Sequence, residues 1–190
     1  MTDFENDITA SLRVLNAGGL ILYPTDTIWG IGCDATNEDA VKEVFALKQR
    51  EESKSLVVLL ADIRDLLRFV AHPHPNIANI LEKVDRPTTV IYDGALGLAP
   101  SVVSQDGSVA IRIVHDTFCR HLVKRLRKPL VSTSANISGQ PSPATFADVS
   151  PEIKNGVNYV VQYRQHDTTA AQPSRIIRIQ GNGDIRVIRE

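Results

Sequence analysis

Leu20-Ile21-Leu22-Tyr23-Pro24-Thr25-Asp26-Thr27-Ile28-Trp29-Gly30-Ile31-Gly32 is the stretch around which this chain is read. The apolar run from Leu20 to Tyr23 has the length of a strand. It drives straight into a proline, two threonine hydroxyls, a carboxylate, an indole and two glycines. A buried strand has no use for that mixture, whereas the rim of a binding cleft does. Hydroxyls and backbone amides supply polar contacts there, and glycines let a ligand approach the main chain. A Pro-initiated turn after a strand accounts for the same residues without a ligand.

Upstream, Ile8, Leu12 and Leu15 recur at helical spacing, and Ala17-Gly18-Gly19 stops that helix. Downstream, Thr36 or Asn37 caps a second helix, with Glu38 and Asp39 at its positive end. Ala40, Val41, Val44, Phe45 and Leu47 form its buried stripe, and Lys48-Gln49-Arg50-Glu51-Glu52-Ser53-Lys54 follows as a polar loop. Leu56 to Leu60 is a continuous apolar run, which predicts a central strand. Asp62 caps a further helix with Ile63, Leu66, Leu67 and Val70 facing inward, and Ile77, Ile80, Leu81 and Val84 mark a short one. Thr88 to Tyr92 is β-rich. Ser108 to Val114 alternates, with Arg112 on the face of Ala110 and Val114.

Phe118, Leu122, Val123 and Leu126 fit another helix, whose polar face carries Arg120, Lys124, Arg125, Arg127 and Lys128. Such a charge run reads as a solvated face. Leu130-Val131 leads into a second polar cluster, Ser132-Thr133-Ser134-Ala135-Asn136-Ile137-Ser138-Gly139. Tyr159 to Val161, Arg175 to Ile179 and Ile185 to Ile188 are strand candidates, the last two joined by a hairpin turn at Gly181-Asn182-Gly183-Asp184. Strands mixed with helices and ending in a hairpin predict an α/β fold with a mixed, twisted sheet.

The 190 residues suit a single domain spanning 1–190, and 43% apolar residues can build its core. A net charge of -1 excludes a global basic field that would recruit nucleic acid and leaves only a local patch for that purpose. Cys33 and Cys119 cannot form a disulfide framework and read as free thiols of a cytosolic protein. His72-Pro73-His74-Pro75 reads as a rigid turn rather than a metal site, since no Cys or third His accompanies it. Met1 to Asp7 is acidic and lacks an apolar signal core, and no run approaches a membrane span. The expected location is the cytoplasm, with no membrane partner.

Polar groups gather at strand ends in four places: Thr25 to Thr27, Lys48 to Lys54, Arg112, and Ser132 to Asn136. Lys48, Arg50 and Lys54 at a helix C-terminus complement the helix dipole. The same cations suit a polyphosphate, Lys as a point charge and Arg as a planar fork. The hydroxyls and amides of Ser132 to Ser138 could hold phosphate oxygens as nests do. A P-loop is absent, and no G-x-S-x-G surrounds Ser132, Ser134 or Ser138. Gly30-x-Gly32-x-x-Ala35 matches a dinucleotide fingerprint, yet six polar and aromatic residues separate it from the strand on which it should sit.

Taken together, these motifs resemble a known family. Tyr23-Pro24-Thr25-Asp26-Thr27 through Gly30-x-Gly32-x-Asp34-Ala35 resembles the opening motif of the YrdC-like family, the threonylcarbamoyl-AMP synthases. Lys48-x-Arg50-x3-Lys54 is similar to its K-x-R loop, and Ser132-Thr133-Ser134-Ala135-Asn136-x-Ser138-Gly139 to its S-T-S-A-N-x-S-G signature. Pro173-Ser174 before a β run resembles its P-S-T segment. The likeness runs from about Gly18 to Arg189, in the family's order.

The resemblance implies a YrdC-like twisted mixed α/β sheet flanked by helices, with a large, positively charged central cleft. It implies synthesis of threonylcarbamoyl-AMP and pyrophosphate from L-threonine, bicarbonate and ATP, with Mg2+ accompanying the triphosphate. A partner enzyme would then modify the adenosine beside the anticodon of certain tRNAs. By the same resemblance Lys48, Arg50 and Lys54 would meet the triphosphate. Ser132, Ser134 and Asn136 would meet the nucleotide, with Lys48, Arg50, Ser134 and Asn136 as the catalytic set. Thr25 would hold threonine, Arg112 its carboxylate or the carboxylated amine, and Ser174 would line the cleft. Arg189 matches a family arginine near the nucleotide.

Three departures stand out. Ser55 replaces the family's proline after the last loop lysine, only Pro87 and Thr89 match its P-G-P-x-T segment, and Arg175 stands for the P-S-T threonine. The stretch of resemblance ends near Glu190, and the extra C-terminal domain of longer relatives is not expected. The alternative reading is a YrdC-fold protein that binds double-stranded RNA or tRNA and lacks synthase activity.

Overall fold

A computed structural model describes residues 3–51, 55–180 and 183–190. Lys54, and Gly181 and Asn182 of the expected hairpin turn, lie outside the described residues. Helix α1 (Glu5–Asn16) buries Ile8 and Leu15, and Gly18 ends it with φ +82°. Asp7 lies on the same buried face. Its carboxylate accepts hydrogen bonds from the Tyr159 hydroxyl at 2.6 Å and from the backbone N–H of Gln162 at 3.0 Å and of Tyr163 at 2.8 Å. The N-terminal helix is thereby tied to a segment some 150 residues away.

Strand β1 (Ile21–Tyr23) pairs antiparallel with β2 (Gly30–Gly32), both fully buried. Gly30 to Gly32 is therefore a strand, contrary to the expectation that this stretch is all cleft rim. The reason is steric. A Cβ on Gly32 would lie 2.7 Å from Cε1 of Tyr23 and 3.0 Å from the carbonyl oxygen of Val131. The glycines make room for the buried Tyr23 ring, whose hydroxyl reaches the Val131 carbonyl. With those residues inside a strand, the dinucleotide fingerprint has no loop to form.

Helix α2 (Glu38–Leu47) is capped by Asn37, whose side chain accepts from the N–H groups of Asp39 and Ala40. Strand β3 (Val57–Leu60) follows. Asp62 caps the next turn, but Ile63–Arg68 is a 3-10 helix, so Leu67 points outward at 69% exposure rather than inward. Helix α3 (Ile77–Glu82), strand β4 (Thr88–Tyr92) and strand β5 (Val109–Ile113) come next. Helix α4 (Thr117–Leu126) is capped by Asp116 and buries Phe118, Leu122, Val123 and Leu126. Strand β6 (Leu130–Ser134), helix α5 (Pro151–Gly156), strand β7 (Tyr159–Val160), strand β8 (Arg175–Ile179) and strand β9 (Ile185–Arg189) complete the order.

The nine strands form one mixed sheet in the order β7-β1-β2-β6-β3-β5-β4-β8-β9. Three adjacent pairs are parallel, β7 with β1, β3 with β5 and β4 with β8. Strand β6 joins the two halves unevenly. Ser132 is the last β6 residue opposite β3, where β3 begins at Val57. Thr133 and Ser134 continue against Ile31 and Gly30 of β2. Beyond Ser132 one side of β6 has no strand beside it among the described residues, and the sheet opens there.

Candidate active site

A cavity of about 220 Å³ occupies that opening. One wall is Thr27–Gly30 from the β1–β2 loop, and another is Ser132–Ser134 of β6. Arg50 and Ser55 enter after α2, Arg112 from β5, Pro173 and Ser174 ahead of β8, and Arg189 from β9. Three arginines thus line it, and the described wall carries no carboxylate. Most of these segments sit near the start or end of a strand, so the sheet brings together residues far apart in the chain.

Arg112 is the most deeply buried of the three, at 4% exposure. Its Nη1 donates to Thr27 Oγ1 at 3.1 Å, and its Nη2 lies 3.1 Å from Asp26 Oδ1. Its Nε has no hydrogen-bond partner among the described residues. Arg50 donates from Nη2 to the Ser55 carbonyl at 2.9 Å, and burial lowers its pKa. Arg189 donates to the Ser174 carbonyl at 2.8 Å; burial first, and the neighbouring Arg112 charge second, lower its pKa. Ser174 is itself held by a 2.8 Å hydroxyl contact with Thr89. Partly desolvated cations that repel one another make an anionic ligand favourable in this cavity.

Lys48 does not line the cavity wall. It is fully buried at the C-terminus of α2, and its ammonium donates to the carbonyl oxygens of Ser134 at 2.5 Å and Asn136 at 2.6 Å. Its own carbonyl accepts the Ser138 N–H at 2.8 Å. Burial first and the Arg50 charge second bring its pKa down to about 7. Asn136 is likewise turned into its own loop, its Nδ2 donating to the carbonyls of Ile137 at 2.9 Å and Gln140 at 2.8 Å. Thr25 also stands off the wall, its hydroxyl donating to the Ile28 carbonyl at 2.8 Å. Of the residues singled out in the sequence, Arg50, Arg112, Ser132, Ser134, Ser174 and Arg189 face one cavity, while Lys48, Asn136 and Thr25 brace its frame from behind.

Sequence reasoning had not singled out Trp29 or Ser142 as wall residues, nor Asp26 as the partner of Arg112. For Trp29 a signal existed, a lone indole in a polar stretch. Its ring rests 4.7 Å from that of Phe146. No group of three or more His, Cys, Asp and Glu side chains suited to a metal occurs among the described residues.

The sequence profile of the Sua5, YciO and YrdC proteins, a family described as telomere recombination, matches residues 13–190. The chain belongs to this Sua5/YciO/YrdC family. A family member from Pseudoalteromonas translucida (strain TAC 125), named threonylcarbamoyl-AMP synthase, is 31% identical over 175 residues, covering 90% of this chain and 92% of that one. A protein of the same name from Idiomarina loihiensis is 33% identical, covering 86% and 89% of the two chains. Among solved structures, P. abyssi Sua5 complexed with L-threonine superposes with a TM-score of 0.83 at 23% identity and shares the fold. The match covers 97% of the present chain and about half, 54%, of the P. abyssi chain.

Proposed function

We propose that this Sua5/YciO/YrdC protein, read as one YrdC-like domain over residues 1–190, is an L-threonylcarbamoyladenylate synthase. It would be a nucleotidyltransferase that makes threonylcarbamoyl-AMP and pyrophosphate from L-threonine, bicarbonate and ATP. The observation that carries this reading is the cavity itself: Arg50, Arg112 and Arg189 converge on the serine hydroxyls of β6, with no carboxylate on the described wall. That composition suits a polyanionic nucleotide beside an amino-acid carboxylate. In the proposed reaction bicarbonate takes up a proton and loses water to give carbon dioxide; the neutral amine of threonine adds to it and releases a proton, which leaves a carbamate. A carbamate oxygen then forms a bond to the α-phosphorus of ATP as the bond to the bridging oxygen breaks, and pyrophosphate leaves. Charge grows on phosphate oxygens, so preorganised cations are the main catalytic device.

Arg50 and Arg189 are assigned to the phosphates, Ser132 and Ser134 to the nucleotide, and Arg112 to the threonine carboxylate, with Ser174 beside it. Lys48, Asn136 and Thr25 are assigned to holding the surrounding loops, and Lys54 to the triphosphate on its motif alone. The described cleft wall has no carboxylate to ligate Mg2+, so an ion arriving with ATP would be held by phosphate oxygens. The product is a reactive mixed anhydride and requires a partner transferase that passes the threonylcarbamoyl group to tRNA. Among the described residues no helix is long and apolar enough to cross a membrane, and Cys33 and Cys119 are free and buried; a cytoplasmic enzyme is the reading these support.

Pyrophosphate release that needs both threonine and bicarbonate is the test, and its absence from the unmodified protein overturns the proposal. A second reading rests on exposed Arg120 and Arg127 of the α4 region, which have no ion-pair partner among the described residues. Salt-dependent binding of double-stranded RNA or tRNA without turnover would select it.

A further inference from the structure

The turn at Thr25–Ile28 is wired in one direction. Thr25 Oγ1 donates its only proton to the Ile28 carbonyl at 2.8 Å and accepts the Thr27 N–H at 3.0 Å. The 2.9 Å contact between the Thr25 and Thr27 hydroxyls must then be a hydrogen bond donated by Thr27. Thr27 Oγ1, its proton committed, can only accept, and it accepts from Nη1 of Arg112 at 3.1 Å. The turn is braced from outside as well. Arg164 donates to the Thr25 carbonyl at 3.1 Å while pairing with Asp116 at 3.2 Å, and the Cys119 thiol donates to the Pro24 carbonyl at 3.4 Å.

Against this rigid turn Arg112 has two of its nitrogens assigned. Nη1 is on Thr27 and Nη2 is 3.1 Å from Asp26 Oδ1. Its Nε is buried without a partner, and so is Asp26 Oδ1, whose approach to Nη2 is close but not aligned as a hydrogen bond. Nε is closed off from solvent and does not open onto the cavity that Arg112 helps to line. The planar fork of Arg112 suits one carboxylate. Asp26 is absent from the cavity wall, so it reaches the ligand only through Arg112.

We infer that Asp26 is a positioning residue for the amino-acid substrate: it pins the Arg112 guanidinium in the orientation in which it meets the substrate carboxylate at the cavity wall. The inference rests on the synthase reading and deepens it. Without Asp26 the guanidinium would lose one of its two anchors and swing about Thr27, and a misplacement of about 1 Å at a binding group can cost on the order of 10²-fold in rate.

The experiment is steady-state pyrophosphate release by the full chain carrying Asp26→Ala, Asp26→Asn or Asp26→Glu, with threonine and ATP varied separately and melting temperature recorded. The expected result is a threonine KM raised by roughly ten- to a hundredfold in Asp26→Ala, with ATP KM within about twofold of wild type. Asp26→Asn, which keeps an acceptor oxygen without the charge, should fall between, and Asp26→Glu should recover part of the loss. An unchanged threonine KM in active Asp26→Ala overturns the inference alone. So does a parallel rise of both KM values with a lowered melting temperature, since that is the signature of a general packing role. Wild-type protein that neither binds threonine by calorimetry nor releases pyrophosphate sinks the synthase reading and this inference with it.

Discussion

The ammonium of Lys48 lies 2.6 Å from the carbonyl oxygen of Asn136, 88 residues further along the chain. Together with its bond to the Ser134 carbonyl, this contact clamps the end of α2 to the loop that follows β6. The clamp is a buried cation held by neutral acceptors, beside Arg50 rather than beside a carboxylate. Lys48 thus acts on the cleft through the backbone it holds.

A pH dependence follows from that burial. Folding lowers the Lys48 pKa from 10.5 to about 7, so between those values the unfolded chain binds the extra proton. Stability should therefore rise with pH through this window and be flat in this term below it. Urea midpoints measured from pH 6 to 8.5 should climb more steeply in wild type than in Lys48→Met. Parallel slopes for the two proteins would sink the assignment. The window stops at 8.5 because burial raises the pKa of the Cys33 and Cys119 thiols, which reverses the trend above the ordinary thiol pKa.

Arg50→Ala should lower kcat/KM for ATP-dependent pyrophosphate release on the order of 10²- to 10³-fold, the size seen when one preorganised charge-stabilising donor is lost. Circular dichroism and melting temperature should stay close to wild type, because the guanidinium lies at the cavity wall and not in the core. Unimpaired turnover would remove Arg50 from the site.

Gly32→Ala tests the packing role of the opening motif. The new Cβ would stand 2.7 Å from the buried Tyr23 ring and 3.0 Å from a backbone carbonyl, so something must shift. A loss of about 1 to 3 kcal/mol is expected from overpacking of this kind. Chemical denaturation reads it directly, and a neutral result would mean that Tyr23 has room to move.

Asp7→Ala should be costly for a residue so near the N-terminus. It strips acceptors from a tyrosine hydroxyl and two backbone N–H groups at the start of the segment after β7. A destabilisation of about 1.5 to 3 kcal/mol is expected from losing hydrogen bonds to a buried carboxylate. Amide exchange should quicken first at Gln162 and Tyr163; unchanged protection at those two positions would contradict the tie.

Much of this molecule was legible in its amino acids taken alone. The caps at Thr36 or Asn37 and at Asp62, the apolar run before Leu60, the alternation through Arg112 and the two polar clusters are local patterns, and local patterns are set by near neighbours. The order and spacing of those clusters carried the family resemblance, and the resemblance named Arg50, Arg112, Ser132, Ser134, Ser174 and Arg189, which share one cavity.

What required the folded chain was the direction in which each side chain acts. Strand β6 lies between β2 and β3, and β5 between β3 and β4, an order no run of neighbouring residues encodes. That order turns Lys48 inward onto two carbonyls, gives Gly32 a tyrosine ring to accommodate, moves Thr25 behind the wall and Thr27 onto it, and sets Asp26 against Arg112. Composition and spacing can say that a lysine and an asparagine belong to one site. Which of their atoms faces a ligand and which faces the protein is settled by long-range packing, where burial makes an unpaired polar atom too costly to leave alone.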